Sequence, residues 1–284
     1  GEARLDETGP RSIGGDGISF NKYNADVTIR DVAIANVAGH GIGFMSWNQD
    51  IVIEGRQEAH TKITDVGQNG IKYHNWNTDV TIRYVDILKS GKAGIRLGSN
   101  NGGGGDNPDL NINHVSINDA LDNGVEMWAN NTMEISDSTI QGTAADVISH
   151  GVYLIDDGNT VTLRNTTITN ITYGNGLSML SYDNAVRIYE SEFSNIGHET
   201  FHFAGTATLL VQGTTFGPNL ERGPNEVTFL FDESIEILEG SDNNRVVPDG
   251  IEYHCGRINN SVVITGSIQF TNHNAIDANS CPVD

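Results

Sequence analysis

Two cations stand at the same place in successive copies of one pattern: Lys72 in Gly70-Ile71-Lys72-Tyr73 and Arg96 in Gly94-Ile95-Arg96-Leu97. The same position in other copies holds Ser19, Gly43, Glu126, Tyr153, Ser178 and His202. Two residues further on stand Asn21, Met45, His74, Gly98, Trp128, Ile155 and Leu180. Ionisable and aromatic groups therefore gather on one face: Lys72, His74, Arg96, Glu126, Trp128 and Tyr153, with His150 one residue before a copy begins. A lysine, histidine or tyrosine can remove a proton while a guanidinium stabilises the anion left behind. Glu126 with Asp156 offers another chemistry, that of the paired carboxylates of glycosidic hydrolysis. A solvated face whose charges only hinder edge association would carry the same residues.

What positions these groups is a repeat. Its openers are Gly17, Gly41, Gly70, Gly94, Gly124, Gly151 and Gly176, with Thr200 in the equivalent place, 24 to 30 residues apart. The residue after each opener is apolar (Ile18, Ile42, Ile71, Ile95, Val125, Val152, Leu177, Phe201). So is the residue two further on (Phe20, Phe44, Tyr73, Leu97, Met127, Leu154, Met179, Phe203). Period-two alternation is a half-buried strand with the apolar columns inside. A second strand follows in most copies, as in Val27-Thr28-Ile29, Ile51-Val52-Ile53, Val80-Thr81-Ile82 and Leu110-Asn111-Ile112. A repeat of this length built of strands predicts an all-β parallel solenoid of about eight to ten coils, each pairing with its neighbours.

Seven residues after the openers come Asn24, Asn48, Asn77, Asn101, Asn131, Gly158 and Asp183. Asparagine tolerates left-handed backbone, and its stacked amides can ladder from coil to coil. Because Asn24-Ala25-Asp26, Asn48-Gln49-Asp50 and Asn77-Thr78-Asp79 recur at one place, they read as turns rather than as a catalytic dyad. One residue earlier lie Tyr23, Trp47 and Trp76, a stripe that serves either as turn packing or as a platform for sugar rings. Gly102–Asp109 is a glycine-rich insertion whose Asp106 and Asp109 are candidate oxygen ligands for Ca²⁺, or simply part of a loop.

One domain, 1–284, accounts for the whole chain: an edge segment at 1–15, regular coils at 16–213, and degenerate coils with a C-terminal cap at 214–284. The two cysteines, Cys255 and Cys281, both fall in that last region, where a disulfide would clamp the cap and imply an oxidising compartment. The chain opens at Gly1 without Met and reads as a processed form. A net charge of −21, from 37 acidic against 16 basic residues, argues against a nucleic-acid partner. No apolar run approaches the roughly 20 residues needed to span a membrane. Against the global charge, Lys62, Lys72, Arg83, Lys89, Lys92 and Arg96 form a local basic cluster.

The repeated G-[IV]-x-[FYLM] and N-x-D-[VI]-T-I patterns resemble the right-handed parallel β-helix superfamily, over roughly Asp16 to Gly213. That superfamily includes polysaccharide lyases, epimerases, polygalacturonases, phage tailspikes and bacterial surface proteins. A finer resemblance joins Lys72 and Arg96 to the chondroitinase B and alginate lyase kind, in which a lysine and an arginine project from successive coils into the sugar cleft. The acidic calcium-binding constellation of those enzymes and the Asp-Pro-His motif of the epimerases have no counterpart here. The resemblance implies a secreted or cell-surface protein that binds an extracellular, acidic polysaccharide and cleaves it by β-elimination. On that reading Lys72, His74 or Tyr153 is the base, Arg96 neutralises the substrate, and Glu126 lies beside them. Tyr23, Trp47, Trp76, Trp128, His150 and Asp156 would line the sugar path. The other expectation is a non-catalytic structural, adhesive or self-associating surface protein.

Overall fold

The computed structural model describes residues 14–99, 109–143 and 148–217, with the strands Val227–Phe231, Ile235–Ile237, Arg245–Val246 and Ile251–Cys255. Among these residues there is no helix, and every pairing between named strands is parallel. Ten strands stack into one sheet, running Ile18–Phe20, Ile42–Phe44, Ile71–Tyr73, Ile95–Leu97, Val125–Met127, Val152–Leu154, Leu177–Met179, Phe201–Phe203, Val227–Phe231, Ile251–Cys255. A sixteen-stranded sheet forms the rest of the wall. Its two halves are joined by the long strands Val80–Ser90 and Asp109–Ala120, which run through the corner that is broken in the other coils.

The register is that of the apolar columns. Ile42 pairs with Ile71, Ile71 with Ile95, Ile95 with Val125 and Val125 with Val152. All five are fully buried. Phe20, Phe44 and Tyr73 stack ring on ring at 4.8 and 4.9 Å, so the core repeats at the strand spacing. Glycine opens most coils because the next coil lies against it. A Cβ at Gly70 would fall 2.6 Å from the carbonyl oxygen of Gly94. The second-strand column has a further member that the sequence pattern does not mark: Thr132–Ser136 pairs with Asp109–Ala120 and places Met133 in the column of Leu110.

The asparagine ladder is present, with one correction. Asn24 donates from Nδ2 to Asn48 Oδ1 at 2.7 Å, and Asn48 to Asn77 Oδ1 at 2.8 Å. Beyond Asn131 the ladder continues through Asn159 and Asn184, not Gly158 and Asp183. Those two coils carry one extra residue in the turn. Gly158 and Asp183 take the left-handed backbone, at φ 74° and 57°, and push the ladder residue one place along. The Asn101 position, the insertion at 102–109 up to its last residue, most of the edge segment at 1–15 and, apart from 214–217 and the four strands named above, the region 214–284 fall outside the described residues. Of the expected disulfide, only the backbone of Cys255 is described; Cys281 is not.

A second ladder runs one residue before the openers. Asp16 Oδ1 accepts from the His40 N–H at 2.8 Å, His40 Nδ1 from Asn69 at 3.2 Å, and Asn69 Oδ1 from Ala93 at 3.1 Å. Further along, Asn123 Oδ1 accepts from His150, and His150 Nδ1 from Asn175 at 3.0 Å. An imidazole nitrogen that accepts a backbone N–H must keep its lone pair. Burial accordingly holds both rings well below the ordinary histidine value, at about 4. The cation of Lys72 adds to this at His40, and His202 and His198 add to it at His150.

Unfolded histidine takes up a proton near pH 6.5, whereas these folded rings resist protonation until about pH 4, so stability falls as pH drops through that window. For His150, which is 8% exposed, the loss is on the order of 3 kcal/mol by pH 4. Asparagine serves the same ladder at Asn69, Asn123 and Asn175, so His150→Asn keeps an acceptor and removes the titration. Denaturation midpoints measured from pH 7 to pH 4.5 should fall less steeply in that variant than in the wild type. Equal slopes would contradict this account.

Candidate functional site

On the ten-stranded sheet, Lys72 pairs with Arg96, Arg96 with Glu126, and Glu126 with Tyr153. Strand geometry sets them about 4.8 Å apart on the outward side. Their neighbours on the strands are the buried columns, so backbone positions are fixed by the core and only the side chains are free to choose partners.

Glu126 is the anchor of the cluster. Its side chain is only 8% exposed, and both carboxylate oxygens are engaged. Oε1 faces the Arg96 Nε at 3.1 Å and accepts from Trp128 Nε1 at 2.9 Å. Oε2 accepts from Asn123 Nδ2 at 3.2 Å. The Arg96 guanidinium lies 5.0 Å from the centre of the Trp128 ring, within range for a cation–π contact. Arg96 is thereby held by Nε on one edge and by an indole on its face. Its terminal Nη nitrogens carry no hydrogen bond among the described residues. A guanidinium fixed in this way presents its remaining donors without first losing side-chain entropy.

Lys72 is half-buried and makes no ion pair among the described residues. Burial lowers its ammonium below the ordinary lysine value, and the cations Arg96 and Lys92 push the same way. His74 is lowered by burial and by the cations Lys72 and Arg96. Tyr153 is shifted in the opposite sense: burial, then the carboxylates Glu126 and Asp122, raise its phenol and keep it protonated. Its ring lies 4.7 Å from that of His150.

Two members of this neighbourhood, Asp122 and Asn123, went unseen in the sequence, and a third, Lys92, stood there only as part of the basic cluster. Asp122, Asn123 and Lys92 lie one or two residues before an opener. The Asn123 Nδ2 also donates to Asp122 Oδ1 at 3.1 Å, so one nitrogen joins two carboxylates. Burial and the charge of Glu126 raise the Asp122 carboxyl above its ordinary value. Counting columns backwards from the openers gives Gln68, Lys92, Asp122 and Ser149, a polar series that would have revealed them.

The remaining candidates sit elsewhere. Asp156 shows no contact with Glu126. Its carbonyl accepts from Asn159 Nδ2 at 2.7 Å, and the carboxylate bridged to Glu126 is Asp122. His150 belongs to the backbone ladder, with only its ring face beside Tyr153. Tyr23, Trp47 and Trp76 stack on one another at the corner between the two sheets, with ring centres 6.3 and 4.9 Å apart. The candidate calcium ligands fall outside what is described: Asp106 altogether, and Asp109 apart from its backbone at the start of a strand. Among the described residues, no group of three or more acidic, histidine or cysteine side chains is arranged to hold a metal ion.

Residues 123–281 match the family described as a right handed β-helix region. No curated protein matches the chain. Among solved structures, the chain is similar to the catalytic unit of a thermostable GH87 α-1,3-glucanase from Streptomyces thermodiastaticus, with 15% identity and a TM-score of 0.42. That similarity covers 88% of this chain and 51% of the glucanase unit, so the chain spans about half the length of that structure. With a family match over residues 123–281 and parallel coils in register on both sheets, the chain belongs to the right-handed β-helix family.

Proposed function

We propose that the face bearing Lys72, Arg96 and Tyr153 binds an acidic extracellular polysaccharide and cleaves it by β-elimination. The observation that carries this reading is the pairing of a half-buried Lys72, lowered by burial and by Arg96, with an arginine already fixed in place one coil away. Elimination from a uronate has three requirements: a base for the proton at C5, a cation for the carboxylate as the enolate forms, and a proton for the leaving oxygen. Lys72 in its neutral form takes the C5 proton. The Nη nitrogens of Arg96 hold the uronate carboxylate. The electron pair moves to form the C4–C5 double bond as the C4–O bond breaks, and the protonated Tyr153 gives its phenolic proton to the leaving oxygen. Solvent then returns a proton to Tyr153 and removes one from Lys72. His74 lies two residues along the strand from Lys72 and serves as the base if Lys72 only binds.

A second reading rests on a different observation. Asp122 and Glu126 share the Asn123 amide, and the Asp122 carboxyl is raised while Glu126 faces Arg96. Two carboxyl groups with separated environments are the acid and the partner carboxylate of glycosidic hydrolysis. The experiment that tests the proposal is incubation of the protein with alginate, pectate, chondroitin and uncharged glycans, following both unsaturated-uronate absorbance and reducing ends. Elimination gives both signals together on an acidic glycan. Reducing ends alone would favour Asp122 and Glu126. A protein that neither binds nor cleaves any glycan of the panel would belong to the structural or adhesive class.

A further inference from the structure

Three aromatic residues occupy a backbone conformation that suits none of them. Tyr23, Trp47 and Trp76 have φ of 63°, 65° and 58°. A bulky side chain in the left-handed region is an outlier and carries strain. The fold demands that conformation at the residue before each ladder asparagine, but it does not demand a ring. Later coils place Asn130, Gly158 and Asp183 there, at φ of 57°, 74° and 57°, and these residues accept it readily. The aromatic choice in the first three coils is therefore not explained by the turn.

Nor does burial explain it at Tyr23 and Trp47, whereas Trp76 is half-buried. Tyr23 is 76% exposed and Trp47 45% exposed. Three residues beyond each ring stand Asp26, Asp50 and Asp79, all exposed, which with Thr28 and Thr81 line one groove along the second sheet. Rings and carboxylates thus run as two parallel rows along the solenoid axis, on either side of the asparagine ladder.

We propose that this corner is a binding site for an uncharged polysaccharide chain laid along the axis. The parts of the rings left exposed by their mutual stacking meet the apolar C–H groups of the sugars, and the carboxylates and threonine hydroxyls take up their hydroxyl groups. A row that repeats at every coil matches a ligand that repeats at every residue. The three carboxylates, with no cation among the groove's lining residues, repel uronate and sulfate groups. The site is distinct from the cleavage face and does not rest on it.

Affinity electrophoresis through gels containing β-1,4-glucan, β-1,3-glucan, xylan or mannan tests the proposal, with wild type beside Trp47→Asn. The wild type should be retarded in at least one of these gels. About 0.5 M salt should leave that retardation unchanged, because no charge pairing is involved. Trp47→Asn should weaken binding by about tenfold or more and melt at the same temperature or higher. No retardation in any of the four gels overturns the proposal, as does a variant that binds like the wild type. A fall of several degrees in the melting temperature of Trp47→Asn would make the stack structural. Binding abolished by salt would point instead to a cationic peptide at the aspartate row, and would equally overturn it.

Discussion

Lys72→Ala is expected to lower eliminative cleavage by about 10²- to 10⁴-fold, the range in which a positioned general base contributes. Affinity for the acidic glycan should change little, because the carboxylate contact belongs to Arg96. Stability should move by only a few tenths of a kcal/mol, as for other half-exposed side chains. Cleavage by the wild type should rise with pH, with an apparent pKa below that of free lysine, since burial and the neighbouring cations favour the neutral amine. Rates measured across pH for wild type and variant check both statements. A Lys72→Ala protein of undiminished activity would remove Lys72 from the chemistry and leave His74 or the carboxylate pair.

Arg96→Ala is a less clean test than the sequence suggested. Read as an outward cation, Arg96 has only a substrate to hold. In the structure it also faces the buried carboxylate of Glu126, which its loss would leave with Trp128 and Asn123 alone. That costs about 1–3 kcal/mol of stability in addition to any lost binding. Lys72 carries no such second duty and is the better probe.

The largest effect on stability is expected at Ile95→Asp. Ile95 is fully buried and sits in register between Ile71 and Val125 in the core of the stack. An aspartate there would be a buried charge with apolar columns above and below, at a cost on the order of 4 kcal/mol. In a solenoid each coil is supported only by its neighbours, so the damage is placed where the coils of the candidate site meet. Ile95→Val, which removes one methylene, should cost about 0.5–1.5 kcal/mol and serves as the folded control. Thermal or denaturant unfolding of the two variants checks the pair. Unchanged stability in Ile95→Asp would contradict the register.

The strand columns were legible because they obey a local rule. Each opener fixes the three residues that follow, and period two then decides which face the core. The observed pairings from Ile18 with Ile42 to Leu177 with Phe201 reproduce the columns read from the sequence. The turns were less legible, because an inserted residue changes the count without changing the pattern. Gly158 and Asp183 mark the left-handed position, and counting forward from Gly151 and Gly176 took them for ladder residues. The candidate site was half legible. Lys72, Arg96, Glu126 and Tyr153 lie on strands and fell out of the columns. Asp122, Asn123 and Lys92 lie on the bend before the strand, where side-chain direction is set by the turn rather than by alternation. The partner of Glu126 was beyond the sequence for the same reason. Asp156 and Asp122 are both nearby carboxylates, and only the bend at Asn123 decides between them.

The most direct test of the elimination reading is the mass of the oligosaccharides released from an acidic glycan by the wild-type protein. Elimination adds no water, so every fragment carrying a new non-reducing end should be one water lighter than the hydrolytic fragment of the same length. Lys72→Ala should release none. Fragments at the hydrolytic mass, or unsaturated fragments formed equally well by Lys72→Ala, would contradict the account.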